Sequence, residues 1–253
     1  MFNRKEFNQI RNGVLLVSLL AWVLLLAGHD GSCCSPAGNG GTSWQMLLAS
    51  DTPAALIKGW ALMLVAMMAP TLVLPVYFIR LTSFAGSCLR LTALFVAGYG
   101  AVWLSAGGLF MAVELVAKQL FPHSWWPAML VALTALMWQA SPCKQICLNR
   151  CHNHRPLAAF GFAADRDALR MGLTHGIWCI GSCWAIMLLP MLLPGGHGFG
   201  MVGVTLLMFC ERMDPATAPA WRLRGFRTAL LHLNRSLRGS RATQMPGAQM
   251  AQS

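Results

Sequence analysis

The chain has 253 residues, 56% of them hydrophobic and 11% charged, with a formal net charge of +11. So little polar surface cannot cover a water-soluble body, which excludes a soluble globular domain and predicts an all-α fold, a polytopic membrane bundle of about six transmembrane helices. Nucleic acid is not an expected partner, because the basic residues sort by loop rather than forming one patch.

The first apolar run, Gly13 to Gly28, follows Arg4, Lys5 and Arg11. A basic start before an apolar stretch also suits a signal peptide, but no clear small-x-small cleavage site follows, so an uncleaved first helix is expected. Residues 29–53 are rich in Gly, Ser and Pro and carry no Lys or Arg, which reads as an external loop. Its His29, Asp30, Cys33 and Cys34 either capture a metal or pair as a disulfide.

The second run, Ala54 to Ile79, is interrupted by Pro70 and Pro75. Prolines kink a helix and free carbonyls, and such breaks are tolerated at membrane depth inside protein or beside a cavity. This helix is therefore expected to face the bundle centre, unless the kink is an ordinary one. It carries Met63, Met67 and Met68, although most of the 16 methionines of so apolar a chain are expected to pack rather than ligate.

A third run, Leu91 to Val116, precedes a fourth, Trp125 to Leu148, that ends in Cys143, Cys147 and Cys151, spaced by four. The fifth, Leu169 to Leu193, opens with His175, Cys179 and Cys183 at the same spacing and continues by fours to Met187 and Met191. Residues four apart share a helical face, so each triplet is a stripe of soft donors about 6 Å apart. An i, i+4 row drifts about 40° per step, which makes the lower half of the fifth-helix stripe the firmer part. Gly172 and Gly176 predict close approach of a neighbouring helix.

The sixth run, Gly198 to Phe209, is short and leads into Cys210 and Glu211. A carboxylate at a span's end is costly unless paired or coordinating. Glu211 is read as a metal ligand, a partner of His175, or an ion-pair partner of Arg212, the last being preferred. Beyond it, Leu223, Phe226, Leu230, Leu233 and Leu237 recur at helical spacing among arginines, predicting a basic amphipathic helix on the anionic membrane surface or against a partner. The expected domains are thus a transmembrane bundle, 1–213, and a cytoplasmic basic helix with a disordered tail, 214–253.

With six spans, every Lys and Arg except Lys58 and Lys118 falls on one side, which the positive-inside rule makes cytoplasmic, together with both termini. The basic boundaries at Arg150 and Arg170 then set depths. Counting from them places Cys143 between the levels of His175 and Cys179, with Cys147 just below His175, so that antiparallel neighbours bring the four together. Thiolate and imidazole donors suit Zn²⁺ or Cu⁺, and nearby thioethers favour Cu⁺.

Met-Met-Ala-Pro at Met67–Pro70, Pro-Cys-Lys-Gln-Ile-Cys-Leu at Pro142–Leu148, the run Met171–Ala185 and Glu211 together resemble an uncharacterised bacterial family described as predicted metal-binding integral membrane proteins. The resemblance runs from the second helix to Glu211. It implies an all-helical inner-membrane protein with metal ligands among Cys143, Cys147, His175, Cys179, Cys183 and Glu211. Ser182 departs from the pattern, standing where many members are expected to have a second adjacent cysteine.

The leading expectation is a protein that binds copper or zinc ion, Cu⁺ favoured, for transport, delivery or sensing, with lipid and a metal-donating or metal-accepting protein as partners. A membrane thiol-disulfide oxidoreductase is the enzyme-class rival, disfavoured because Cys-x-x-x-Cys on a regular helix holds the thiols apart. The third reading is a structural subunit of a homo-oligomer or membrane complex.

Overall fold

The computed structural model describes residues 4–27, 53–84, 86–121, 124–153, 157–158, 161–193 and 197–225. The loop that carries Cys33 and Cys34 and the chain from Phe226 onward lie outside the described residues, as does His154, which follows Cys151 and His152 in a Cys-His-Asn-His run. In chain order the helices are α1 (Arg4–Ala27), α2 (Pro53–Met68), α3 (Val73–Thr82), α4 (Cys88–Leu120), α5 (Trp126–Ala140), α6 (Pro142–Cys151), α7 (Gly161–Leu192) and α8 (His197–Met213). No strand occurs among the described residues. Among the described residues four segments are long and apolar enough to cross a membrane: Arg4–Ala27, Ile57–Thr82, Cys88–Leu120 and Gly161–Leu192.

Helix α7 is the axis of the fold, packed against α4, α5, α6 and α8. Its contact with α4 is closest, for the reason the glycine spacing predicts. A Cβ on Gly172 would stand 2.1 Å from the Phe95 carbonyl oxygen, and one on Gly98 of α4 would stand 2.7 Å from the Leu169 carbonyl. Hydrogen in place of a side chain lets the two backbones touch. The pair runs parallel, with Arg90 near the start of α4 bonded to Asp165 near the start of α7 at 3.0 Å.

Around that axis the core divides. The main core gathers Trp60, Trp103, Tyr99, the thiols Cys151, Cys179 and Cys183, and most of the buried methionines. A smaller one joins Ile79 of α3, Leu91 and Phe95 of α4, and Ala164, Ala168 and Met171 of α7. Helix α1 packs on the edge of the main core through Trp22 and Leu25 and is tied to α2 by a 2.6 Å bond from the Ser18 hydroxyl to the Ala66 carbonyl, with Leu15, Leu16, Leu19, Leu20 and Leu24 exposed.

The break predicted at Pro70 is a short 3-10 turn, Ala69–Leu72, between α2 and α3, where the Thr71 hydroxyl donates to the Met68 carbonyl at 2.7 Å. One other expectation needs correction. The fourth run is not one helix from Trp125 to Leu148: Ser141 turns extended, its hydroxyl accepts the Lys144 amide at 3.2 Å, and Pro142 opens α6. A capping serine followed by proline starts a helix, and that signal outweighs apolar continuity.

The basic amphipathic helix expected from Leu223 to Leu237 lies, from Phe226 on, outside the described residues. Residues 214–225 form an irregular strap that returns along α6. Gln145 donates to the Ala220 and Arg222 carbonyls at 2.5 and 2.9 Å, Asn149 donates to the Thr217 carbonyl at 2.8 Å, and the Arg222 amide donates to the Ala140 carbonyl at 3.1 Å. Backbone groups that bond to side chains of another element are unavailable for a helical ladder. The strap closes at Gly225, whose φ of +104° suits glycine and whose amide donates to the Asp214 carboxylate at 2.7 Å.

Candidate metal site

The stripe on α7 is internal along its whole length. His175, Cys179, Cys183, Met187 and Met191 are all buried, Cys179 completely so. The 40° drift per step does not carry the upper residues to the surface, because neighbours enclose α7 on several sides. Met63, Met67 and Met68 of α2 and Met201 and Met208 of α8 are buried in the same core. Thioether sulfur therefore surrounds the thiols, whether each methionine ligates or only packs.

On α6 the three cysteines differ. Cys143 is exposed, Cys147 is half-buried and Cys151 is buried, each a free thiol. The residue that meets Cys179 is Cys151, the last of the triplet, and Arg212 joins them. Its guanidinium donates to Cys179 Sγ at 3.0 Å and lines one cavity with Cys151, whose thiol feels its charge. Cys147 lies against Gly181 instead, where an added Cβ would be 2.8 Å from its Sγ.

The helices are thus neighbours, but their register is about eight residues from the one counted from the sequence. Arg150 and Arg170 do not mark one depth. Arg150 stacks over the ring of Trp178 at 4.3 Å, eight positions along α7 from Arg170, or about 12 Å at helical rise. A cation held over an aromatic face needs no aqueous boundary at its own level.

Cys179 is the centre of the polar contacts. Tyr99 Oη shares a hydrogen bond with its Sγ at 3.3 Å, and the Cys183 thiol donates to its carbonyl at 3.0 Å. One turn away, His175 packs between the rings of Phe95 and Tyr99, 5.9 Å from each. A cavity of about 190 Å³ borders this group, lined by Pro70, Thr71, Leu74 and Pro75 on one side and by Cys151, His152, His175 and Arg212 on the other. The broken second helix does face the interior.

Glu211 is not paired with Arg212, as its position in sequence suggested. It accepts from Lys144 Nζ and from Gln139 Nε2, each at 2.5 Å, and Lys144 also contacts the Gln139 side-chain oxygen. Carboxylate and ammonium are almost wholly buried, so each neutralises the other where water cannot. The knot fastens α5, α6 and α8 together beside the thiols. On the strap, burial draws the Arg224 guanidinium below its ordinary pKa while Asp214 pushes it back.

Among the described residues no three His, Cys, Asp or Glu side chains stand ready to hold one metal ion. What stands together is a pair of thiols, Cys151 and Cys179, with Cys183 and His175 close on α7 and a fixed cation between them. Two thiols suffice for the low coordination numbers of a soft monovalent ion, and they do not suffice for tetrahedral zinc. Cys151 was visible in sequence as the third member of its triplet. Arg212 and Tyr99 carried no such signal, since neither is spaced with the thiols.

A family model described as PpoB2, copper chaperone, matches residues 57–234 of the chain. No curated protein and no solved structure matches. The matched span takes in α3 to α8 and most of α2, and with them every thiol and imidazole of the site.

Proposed function

The chain belongs to the PpoB2 copper chaperone family, and on that premise we propose that it is a membrane-embedded carrier of Cu⁺, which takes the ion from one protein and yields it to another. The observation that carries this reading is the meeting of Cys151 and Cys179 inside a core rich in thioether sulfur. Soft donors favour Cu⁺, and burial shields the ion from water and oxidants. Membrane insertion is supported by the four long apolar segments and by the exposed leucines of α1, which would be costly in water.

In this reading Cys179 and Cys151 hold the ion, while Cys183 and His175 stand within a turn as alternative donors during exchange. Cys143 and Cys147 lead inward along α6, from an exposed thiol to a half-buried one. Glu211 does not ligate; it fixes α6 against α8 through Lys144. The arginine-rich side is cytoplasmic, the membrane is the bacterial inner membrane, and the partners are a copper donor and acceptor.

Elemental analysis of the full-length protein, purified in mild detergent under reducing and oxygen-free conditions, tests the reading. Stoichiometric copper is expected, and Cys151→Ser with Cys179→Ser should abolish it. Copper that survives that double substitution would refute the assignment. Metal-free protein with a redox-dependent bond between Cys151 and Cys179 would favour a thiol oxidoreductase.

A further inference from the structure

The charges around the two thiols single out Arg212. Its guanidinium is permanently positive, is bonded to the Cys179 sulfur at 3.0 Å and shares a cavity wall with Cys151. Other charged groups nearby are already balanced or turned away. Lys144 and Glu211 neutralise each other at 2.5 Å. Arg150 is spent on the Trp178 ring, and Arg224 on Asn149 and the Asp214 and Pro215 carbonyls of the strap. Tyr99 offers a neutral hydroxyl, and the Cys183 proton is engaged by the Cys179 carbonyl.

When a metal binds, Cys151 and Cys179 lose their protons and contribute two negative charges. Cu⁺ and the Arg212 guanidinium together cancel both. A divalent ion in the same place leaves one positive charge over, in surroundings where an uncompensated charge is expensive. We propose that Arg212 selects the valence of the metal accepted between Cys151 and Cys179, favouring Cu⁺ over divalent ions such as Zn²⁺.

The inference rests on the copper reading above. It adds a specificity-determining residue that is not itself a ligand. Loading moves no electron: the ion changes thiolate partners, and the two thiol protons pass to the donor thiolates it leaves behind.

The test uses full-length protein in mild detergent without oxygen, titrated with Cu⁺ against a chromophoric cuprous chelator and with Zn²⁺ against a zinc indicator. Arg212→Gln should lose roughly tenfold or more in Cu⁺ affinity, as expected when a buried anion loses its counter-ion, and should gain affinity for Zn²⁺. Arg212→Lys keeps the charge and should keep the wild-type ratio of the two affinities. It also serves where Arg212→Gln does not fold, since a collapsed ratio in Arg212→Lys overturns the proposal. An equal fall for both metals in Arg212→Gln, or an unchanged ratio, overturns it as well. Wild-type protein that binds no Cu⁺ would sink the copper reading itself, whereas copper binding with an unaltered ratio sinks only the role of Arg212.

Discussion

Helices α6 and α7 each carry three soft donors at four-residue spacing, and the fold treats them differently. On α7 the stripe is enclosed from His175 to Met191; on α6 burial rises in steps from exposed Cys143 to buried Cys151. The helix with neighbours on several sides keeps its donors dry whatever their angular drift. The shorter helix covers only those that face α7 or the strap. Equal spacing therefore gives an enclosed row on one helix and a row of graded burial on the other.

The largest effect should come from breaking the knot that fastens α6 to α5 and α8. Glu211→Gln leaves Lys144 buried without its counter-charge, which is expected to cost about 3–5 kcal/mol, seen as a lowered Tm in detergent. Pairing it with Lys144→Met should restore most of the loss. If the single variant is as stable as wild type, the buried pair does not hold α6 against α8.

Next is the α4–α7 contact that encloses α7. Gly172→Ala places a methyl against the Phe95 carbonyl, where only a backbone shift gives room. An overpacking loss of about 3 kcal/mol is expected, again read as Tm. Gly203→Ala on α8, where a Cβ meets nothing within 4 Å, is the control and should change little.

Releasing the strap from α6 should have a smaller effect. Gln145→Ala removes the bonds to Ala220 and Arg222, at about 1–2 kcal/mol, and should speed protease cleavage between Pro215 and Arg224. Cleavage no faster than in wild type would mean that the strap is held elsewhere.

The smallest stability change belongs to Cys143→Ser, within about 0.5 kcal/mol for an exposed position. Its value is kinetic. Cys143 should react first with a soluble thiol reagent, Cys147 next and the buried three last. Its serine variant should keep copper at equilibrium while loading more slowly from a copper-donor complex. Labelling of Cys179 as fast as Cys143 would erase the contrast between the helices.

Much of this was readable from local pattern. The four-residue rows, the Pro70 break facing a cavity and the close approach at Gly172 follow from periodicity and from what proline and glycine do to a backbone. The break between α5 and α6 was also written in Ser141-Pro142, but the apolar run across it concealed the signal. Arg212 on Cys179 and Lys144 on Glu211 were not readable, because they join residues 33 and 67 positions apart through helix contacts that no local pattern encodes.

By itself, then, the sequence determined an all-helical chain with apolar segments long enough to span a membrane, and the sulfur and imidazole chemistry those helices present. Tertiary structure alone decided which thiols meet. Spacing within a helix is a property of that helix, whereas the level at which two helices touch is set by every other contact each one makes. Here Arg150 on Trp178, Gly172 on Phe95 and Glu211 on Lys144 set that level, and it is Cys151, not Cys143, that they bring to Cys179.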